Sequence, residues 1–142
     1  MTGDTDAETG ASMDTAVGVD FTAGEGDVAH LGRLHDAAAK ETPDRTAPVD
    51  GTTGDRVTYG EFAEHVAAAG NAVASLGVER GDRVALCFRN DMTFVYAFFG
   101  ATRMGAVPVP VNIQTTREKL RSIIADCDAE TVVTSPLRSV LD

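Results

Sequence analysis

The sequence predicts an α/β fold, a small parallel-sheet subdomain with flanking helices and a β-hairpin ahead of it. Three observations carry this. The run Val84–Phe88 lacks the apolar–polar alternation of a half-solvated strand, as a strand covered on both faces does. Short apolar runs then alternate with segments of helical periodicity, in the order strand, helix, strand, helix, strand, which implies parallel pairing with right-handed crossovers. Upstream, the turn-rich Asp50–Asp55 separates two short strands, Thr46–Val49 and Arg56–Tyr59, as in a hairpin.

The elements follow in order. Residues 1–26 hold six acids, no Lys or Arg and almost no large apolar side chains. Such a segment buries too little surface to offset its ordering entropy, so it is expected to be a disordered acidic leader. The folded part is expected over 27–142. Asp27 is a plausible N-cap for a helix whose Val28, Leu31, Leu34 and Ala38 share one face and which stops before Pro43. Thr58 and Glu61 form a capping box. The helix that it opens places Phe62, Val66, Ala69, Val73 and Leu76 in one apolar stripe, and Gly77 ends it. Gly81-Asp82 is a turn before the strand Arg83–Phe88. Asn90 or Asp91 caps a helix that is apolar around most of its circumference, Phe94–Phe99, and Gly105 ends that one. Val107–Val111 is a second strand whose two prolines require an edge or a bulge. Thr115 and Glu118 read as a second capping box, with Leu120, Ile123, Ile124 and Cys127 lining the helix. Glu130–Thr134 is the third core strand, and Ser135-Pro136 reads as another helix start.

Composition excludes several function classes. A length of 142 residues suits one domain with a core. The net charge of -10 disfavours nucleic acid and anionic membrane surfaces, both of which need clustered cations. Lysine is rare (Lys40 and Lys119) beside ten arginines, and Asp exceeds Glu. That bias fits adaptation to high salt, where screening tames self-repulsion, and equally a GC-rich genome. Cys87 and Cys127 read as small buried apolar residues. No signal peptide is visible, and Phe94–Ala101 is too short to span a bilayer, so the cytoplasm is the expected compartment.

Candidate chemistry is sparse. Gly51-Thr52-Thr53-Gly54 could cradle phosphate, but Asp55 follows and turn chemistry already explains the four residues, so they read as the hairpin turn. His30, His35 and His65 lack the spacing that puts two imidazoles on one helical face, and each reads as a surface or edge residue. Glu61 is accounted for as a cap and Glu64 lies off the apolar stripe. Arg80, Arg83 and Arg89 flank the first core strand and read as solvated strand ends rather than a phosphate clamp. No catalytic, cofactor-binding or metal-binding residue is assigned.

Two segments bear a family resemblance. Val57-Thr58-Tyr59-Gly60-Glu61-Phe62 resembles the first core motif of the AMP-forming acyl-CoA synthetases, members of the adenylate-forming enzymes. Met104–Asn112, with its Val-Pro-Val-Pro-Val-Asn ending, resembles the second, and the spacer through Gly77-Val78 and Gly81-Asp82 is also similar. The resemblance covers about residues 28–142. It implies a parent reaction of carboxylate, ATP and CoA to acyl-CoA, AMP and pyrophosphate, with Mg²⁺. It also implies that both motifs are structural, and that the phosphate loop and catalytic lysine belong to later parts of the family's sequence. The chain therefore reads as a piece of the family's large N-terminal domain, from a truncated or split gene and inactive alone, with no cofactor of its own. The rival reading is a non-catalytic module or half of a split synthetase completed by a separate chain. Self-association is the other expected partnership.

Overall fold

The computed structural model describes residues 31–135. The leader expected over 1–26, the Asp27 cap, His30 and the helix start at Pro136 lie outside the described residues.

A single 3-10 turn, Leu31–Arg33, leads into helix α1, Leu34–Glu41. Its buried face differs from the expected one. Leu31 and Leu34 are exposed, whereas Gly32 and His35 are buried. The reason is steric. Gly32 seats directly on the backbone of Arg103, where any Cβ would lie 2.6 Å from the Arg103 Cα. That contact turns the next helical position, His35, inward. His35 is thus a core residue, contrary to its expected surface placement.

Strands β1, Thr46–Val49, and β2, Arg56–Thr58, pair antiparallel as the predicted hairpin, with an irregularity in the register. Tyr59 belongs to the following helix instead. Helix α2, Tyr59–Ser75, begins at the predicted capping box: Glu61 N–H donates to Thr58 Oγ1 at 3.2 Å, and Thr58 N–H donates to Glu61 Oε2 at 2.9 Å. Its buried stripe is Phe62, Val66, Gly70 and Val73. Leu76 leaves it, at 58% exposure, because it has become the C-cap residue.

The sheet has the order β4-β3-β5, all parallel. Strand β3, Arg83–Phe88, is central and buried after its first residue. Its side chains alternate between two cores. Val84, Leu86 and Phe88 pack with Val73, Val78, Ala97 and Ala101, while Ala85 packs with Val111, Leu120 and Ala129. Helices α2 and α3 therefore cover one face and α4 the other, which is why β3 shows no polar alternation. Each large side chain buried here stabilises the fold by roughly 1.5–3 kcal/mol.

Helix α3, Met92–Met104, is capped by Asp91, whose carboxylate accepts the Phe94 N–H at 3.1 Å, and it ends at Gly105 in the left-handed region (φ 92°). Helices α2 and α3 make their closest approach at Gly70 and Gly100, where a Cβ on Gly100 would stand 2.6 Å from the Gly70 nitrogen. Strand β4, Val107–Asn112, is an edge strand, as Pro108 and Pro110 require. Helix α4, Arg117–Cys127, starts one residue later than expected. Asn112 is the cause: its Oδ1 accepts the Gln114 N–H at 2.8 Å and its carbonyl accepts the Thr115 N–H at 2.9 Å. The turn absorbs Thr115, so Thr116 becomes the cap and accepts the Lys119 N–H at 3.4 Å. Lys119 stands where the box needs a carboxylate, so no second capping box forms. Strand β5, Thr131–Thr134, is half-buried on the other sheet edge, with Val133 packed against one core and Val132 against the other.

Candidate functional site

Ligands of open parallel sheets bind beyond the carboxyl ends of the strands. Beyond β3 lies a groove of about 380 Å³, walled by the hairpin loop Val49–Thr52 on one side and the start of α3 on the other. Val49, Met92, Phe94 and Val95 supply its apolar lining, and Asp50, Thr52, Asn90 and Asp91 its polar lining.

The hairpin loop Gly51–Gly54 borders this groove, so its fitness for phosphate is testable. The Thr52 and Thr53 N–H groups, the donors that an anion would need, donate to Asp50 Oδ1 at 2.7 and 3.1 Å. The Gly54 N–H donates to the Asp50 carbonyl at 2.8 Å, and the Thr53 hydroxyl donates to the Asp55 carboxylate at 2.7 Å. Among the described residues no Lys or Arg lines the groove, and Asp50 and Asp91 put negative charge on it. The loop is closed on itself and does not fit a nucleotide phosphate.

A second, more polar groove of about 410 Å³ lies at the opposite end of the sheet, between Gly77, Asp82, Arg83, Asp128, Glu130 and Thr131. Arg83 is a cross-link there: Nε donates to the Cys127 carbonyl at 3.0 Å, and Nη2 lies 3.4 Å from Asp128 Oδ2. The Asp82 carboxylate accepts the Glu79 N–H at 2.7 Å. Among the described residues, no group of three His, Cys, Asp or Glu could hold a metal ion.

The other sequence candidates disperse. Arg80 and Arg83 stand at the amino end of β3 and Arg89 beyond its carboxyl end, and at roughly 3.3 Å per residue the strand keeps them apart. His65 is exposed and stacks on Tyr96 at 4.6 Å. Glu64 is exposed on α2. The Thr58 N–H and then its hydroxyl hold the Glu61 carboxyl below the usual range. Cys87 and Cys127 are both free, and burial pushes the Cys87 thiol up.

Both family-like segments occupy junctions of the fold. Val57–Phe62 spans the end of β2 and the capped start of α2, and Met104–Asn112 spans the end of α3 and all of β4. The Gly105 carbonyl accepts the Gly81 N–H at 2.8 Å, which ties the second segment to the turn before β3. The pattern of the AMP-binding enzymes matches residues 35–142.

The chain belongs to the AMP-binding enzyme family.

Its relatives are much longer than the matched part. The chain is 30% identical over 114 residues to the long-chain-fatty-acid–CoA ligase FadD13 of Mycobacterium tuberculosis, which is 80% of the chain but 23% of the relative. It is 34% identical over 109 residues to the crotonobetaine/carnitine–CoA ligase of Proteus mirabilis, 75% of the chain and 21% of the relative. Among solved structures, it matches a fatty acyl CoA synthetase of Mycobacterium tuberculosis with a TM-score of 0.69 at 30% identity, covering 74% of this chain and 21% of that one. The N-terminal domain of FACL13 from the same organism matches with a TM-score of 0.70 at 27% identity, over 80% of this chain and 30% of that domain. The chain thus spans less than a quarter of the curated relatives' length.

Two features of this chain are not evident from the sequence alone. Gly70 gives a partial signal, since it falls at the helical spacing of Val66 and Val73 on the buried stripe. The cluster of His35, Asp36 and Arg103 left no signal, because its members read as ordinary polar residues.

Proposed function

We propose that this chain is the N-terminal part of an AMP-dependent acyl-CoA synthetase, folded over residues 27–142 and acting in the cytoplasm. The parent reaction has two steps. A carboxylate attacks the α-phosphate of ATP and releases pyrophosphate, and the CoA thiol then displaces AMP. The observation that carries this reading is the match, at 30% identity, to a fatty acyl CoA synthetase fold. The acyl-CoA and carnitine-CoA ligases among the relatives support an acid–thiol ligase reading, and FadD13 favours fatty acids.

The chain alone is proposed to be inactive. Phosphoryl chemistry depends on positioning and charge stabilisation, and the groove beyond β3 has no cation among its described lining residues, while the Thr52 and Thr53 amides beside it are already taken by Asp50. In this proposal ATP, Mg²⁺ and CoA are held by other parts of a synthetase. The alternative is a non-catalytic module or one half of a split synthetase. The sheet edges favour the split form. Pro108 and Pro110 remove donors from the β4 edge, whereas β5 presents an edge without proline to an incoming strand.

The test is pyrophosphate release with ATP, Mg²⁺ and a panel of short, long and aromatic acids. The chain alone should stay at the blank. Adding a separately made polypeptide that carries the remaining length of a relative should restore release if the chain is half of a split enzyme. Release by the chain alone would overturn the assignment of inactivity.

A further inference from the structure

We propose that His35 is a pH-operated latch, which holds the segment 31–41 on helices α2 and α3 while its ring is neutral and releases it when the ring is protonated. The ring is 6% exposed. It stands nearly perpendicular to Phe62 of α2, with ring centroids 5.5 Å apart, and to Phe99 of α3 at 5.8 Å. Neither Nδ1 nor Nε2 has a hydrogen-bond partner among the described residues. Asp36 Oδ1 lies 3.3 Å from Nε2, but as the next residue on the same helix it lies off the line of a hydrogen bond.

Charge around the ring is already matched without it. Arg103 of α3 reaches Asp36 Oδ2 at 3.6 Å, so the one carboxylate beside the imidazole already has a cation. The groups facing the ring are Asp36 on its own helix, Phe62 on α2, and Phe99 and Arg103 on α3. A proton on His35 would put a second cation beside two apolar rings, in a buried seat with no acceptor on line. Burial accordingly pushes the imidazole below its ordinary value, Asp36 draws it partly back, and Arg103 opposes Asp36. Gly32 rests on the Arg103 backbone in the same segment, so freeing His35 loosens the whole contact of 31–41 with α3.

The sign follows from linkage. The docked segment favours neutral imidazole, so docking is fully present above the ordinary histidine pKa of about 6.5 and weakens as pH falls below it. If the docked ring cannot take the proton, docking falls by up to about 30-fold at pH 5.

Hydrogen exchange on the full chain, corrected for intrinsic rates, tests this between pH 7.5 and pH 5. Amides of α1 should lose about tenfold or more in protection, while those of β3 keep theirs. His35→Phe, which fills the same apolar seat without a titrating group, should abolish the loss. Arg103→Gln should shrink the loss, and Asp36→Asn should enlarge it. NMR titration of the ring should show a pKa below the ordinary value, raised by Arg103→Gln and lowered by Asp36→Asn. An undiminished loss in His35→Phe, or a ring that titrates at or above the ordinary value, would overturn the latch. If His35→Phe shows no protected α1 at any pH, the other two variants decide. Unequal losses in the stated order support the latch, and equal losses overturn it.

Discussion

At the scale of single residues, one tight constraint is the contact of Gly100 with Gly70. A Cβ on Gly100 would stand 2.6 Å from the Gly70 nitrogen and 2.9 Å from the Ala69 carbonyl carbon, which are backbone atoms that cannot turn aside. Gly100→Ala should therefore force α2 and α3 apart and cost about 1–3 kcal/mol. Gly51→Ala meets nothing within 4 Å and should be near neutral. Urea unfolding of the two variants checks the contrast, and equal stabilities would mean that the helices do not approach so closely. The cysteines offer a second residue-scale prediction. Cys87 is 1% exposed on the central strand and burial raises its pKa, whereas Cys127 is half-buried on α4. A thiol reagent at neutral pH should label Cys127 first and Cys87 only as fast as the sheet opens, because the thiolate is the reactive form. Simultaneous labelling in native buffer would contradict the burial of β3.

At the scale of elements, the helix starts discriminate between sequence pattern and local geometry. Thr58→Ala removes a cap that satisfies amides at both ends of the box, and should cost about 1 kcal/mol. Thr116→Ala should cost less, since its bond to the Lys119 N–H is long at 3.4 Å. Thr115→Ala should leave α4 unchanged, although spacing alone makes Thr115 the better cap. Melting curves of the three variants order them. A larger loss at Thr115 than at Thr116 would restore the register predicted from sequence. The Thr58 box also adds a pH dependence. Its N–H and hydroxyl hold the Glu61 carboxyl below the usual range, so the contribution is present above the ordinary carboxylate pKa and fades as pH falls through the lowered value. Glu61→Gln should flatten that acid limb.

At the scale of the whole molecule, cover and charge decide behaviour. Phe94, Phe98 and Phe99 of α3 are only half-buried, and only Ala97, Gly100 and Ala101 of that helix are fully covered. Among the described residues no strand pairs with either outer edge of the three-stranded sheet, and Leu31, Leu34, Val49, Leu76 and Val107 are exposed. Apolar area of this kind beside an unpaired edge favours association, while a net charge of -10 opposes compaction. The Debye length shrinks to about 3 Å in molar salt, so molar KCl should raise the unfolding midpoint and reduce binding of an apolar dye. Sedimentation and melting in low and molar KCl measure this. A cooperative, dye-free monomer at low salt would show that the described fold covers itself.

What the sequence determined was local and periodic. The capping box at Thr58, the glycine ends of α2 and α3, the doubly buried strand β3, the proline-bearing edge strand and the hairpin all follow from residue spacing within about twenty positions, where backbone preference and apolar periodicity act. The family was legible for the same reason, since Val57–Phe62 and Met104–Asn112 are junction segments whose residues are dictated by turns and caps. Tertiary structure decided what depends on a neighbour distant in the chain. His35 turned inward because Gly32 meets Arg103 across 71 positions of sequence. Gly70 replaced Leu76 on the buried stripe because Gly100 lies opposite. Spacing along the chain says which side chains share a face, but which face is buried, and whether a donor is still free, depends on the surface that folding brings against it.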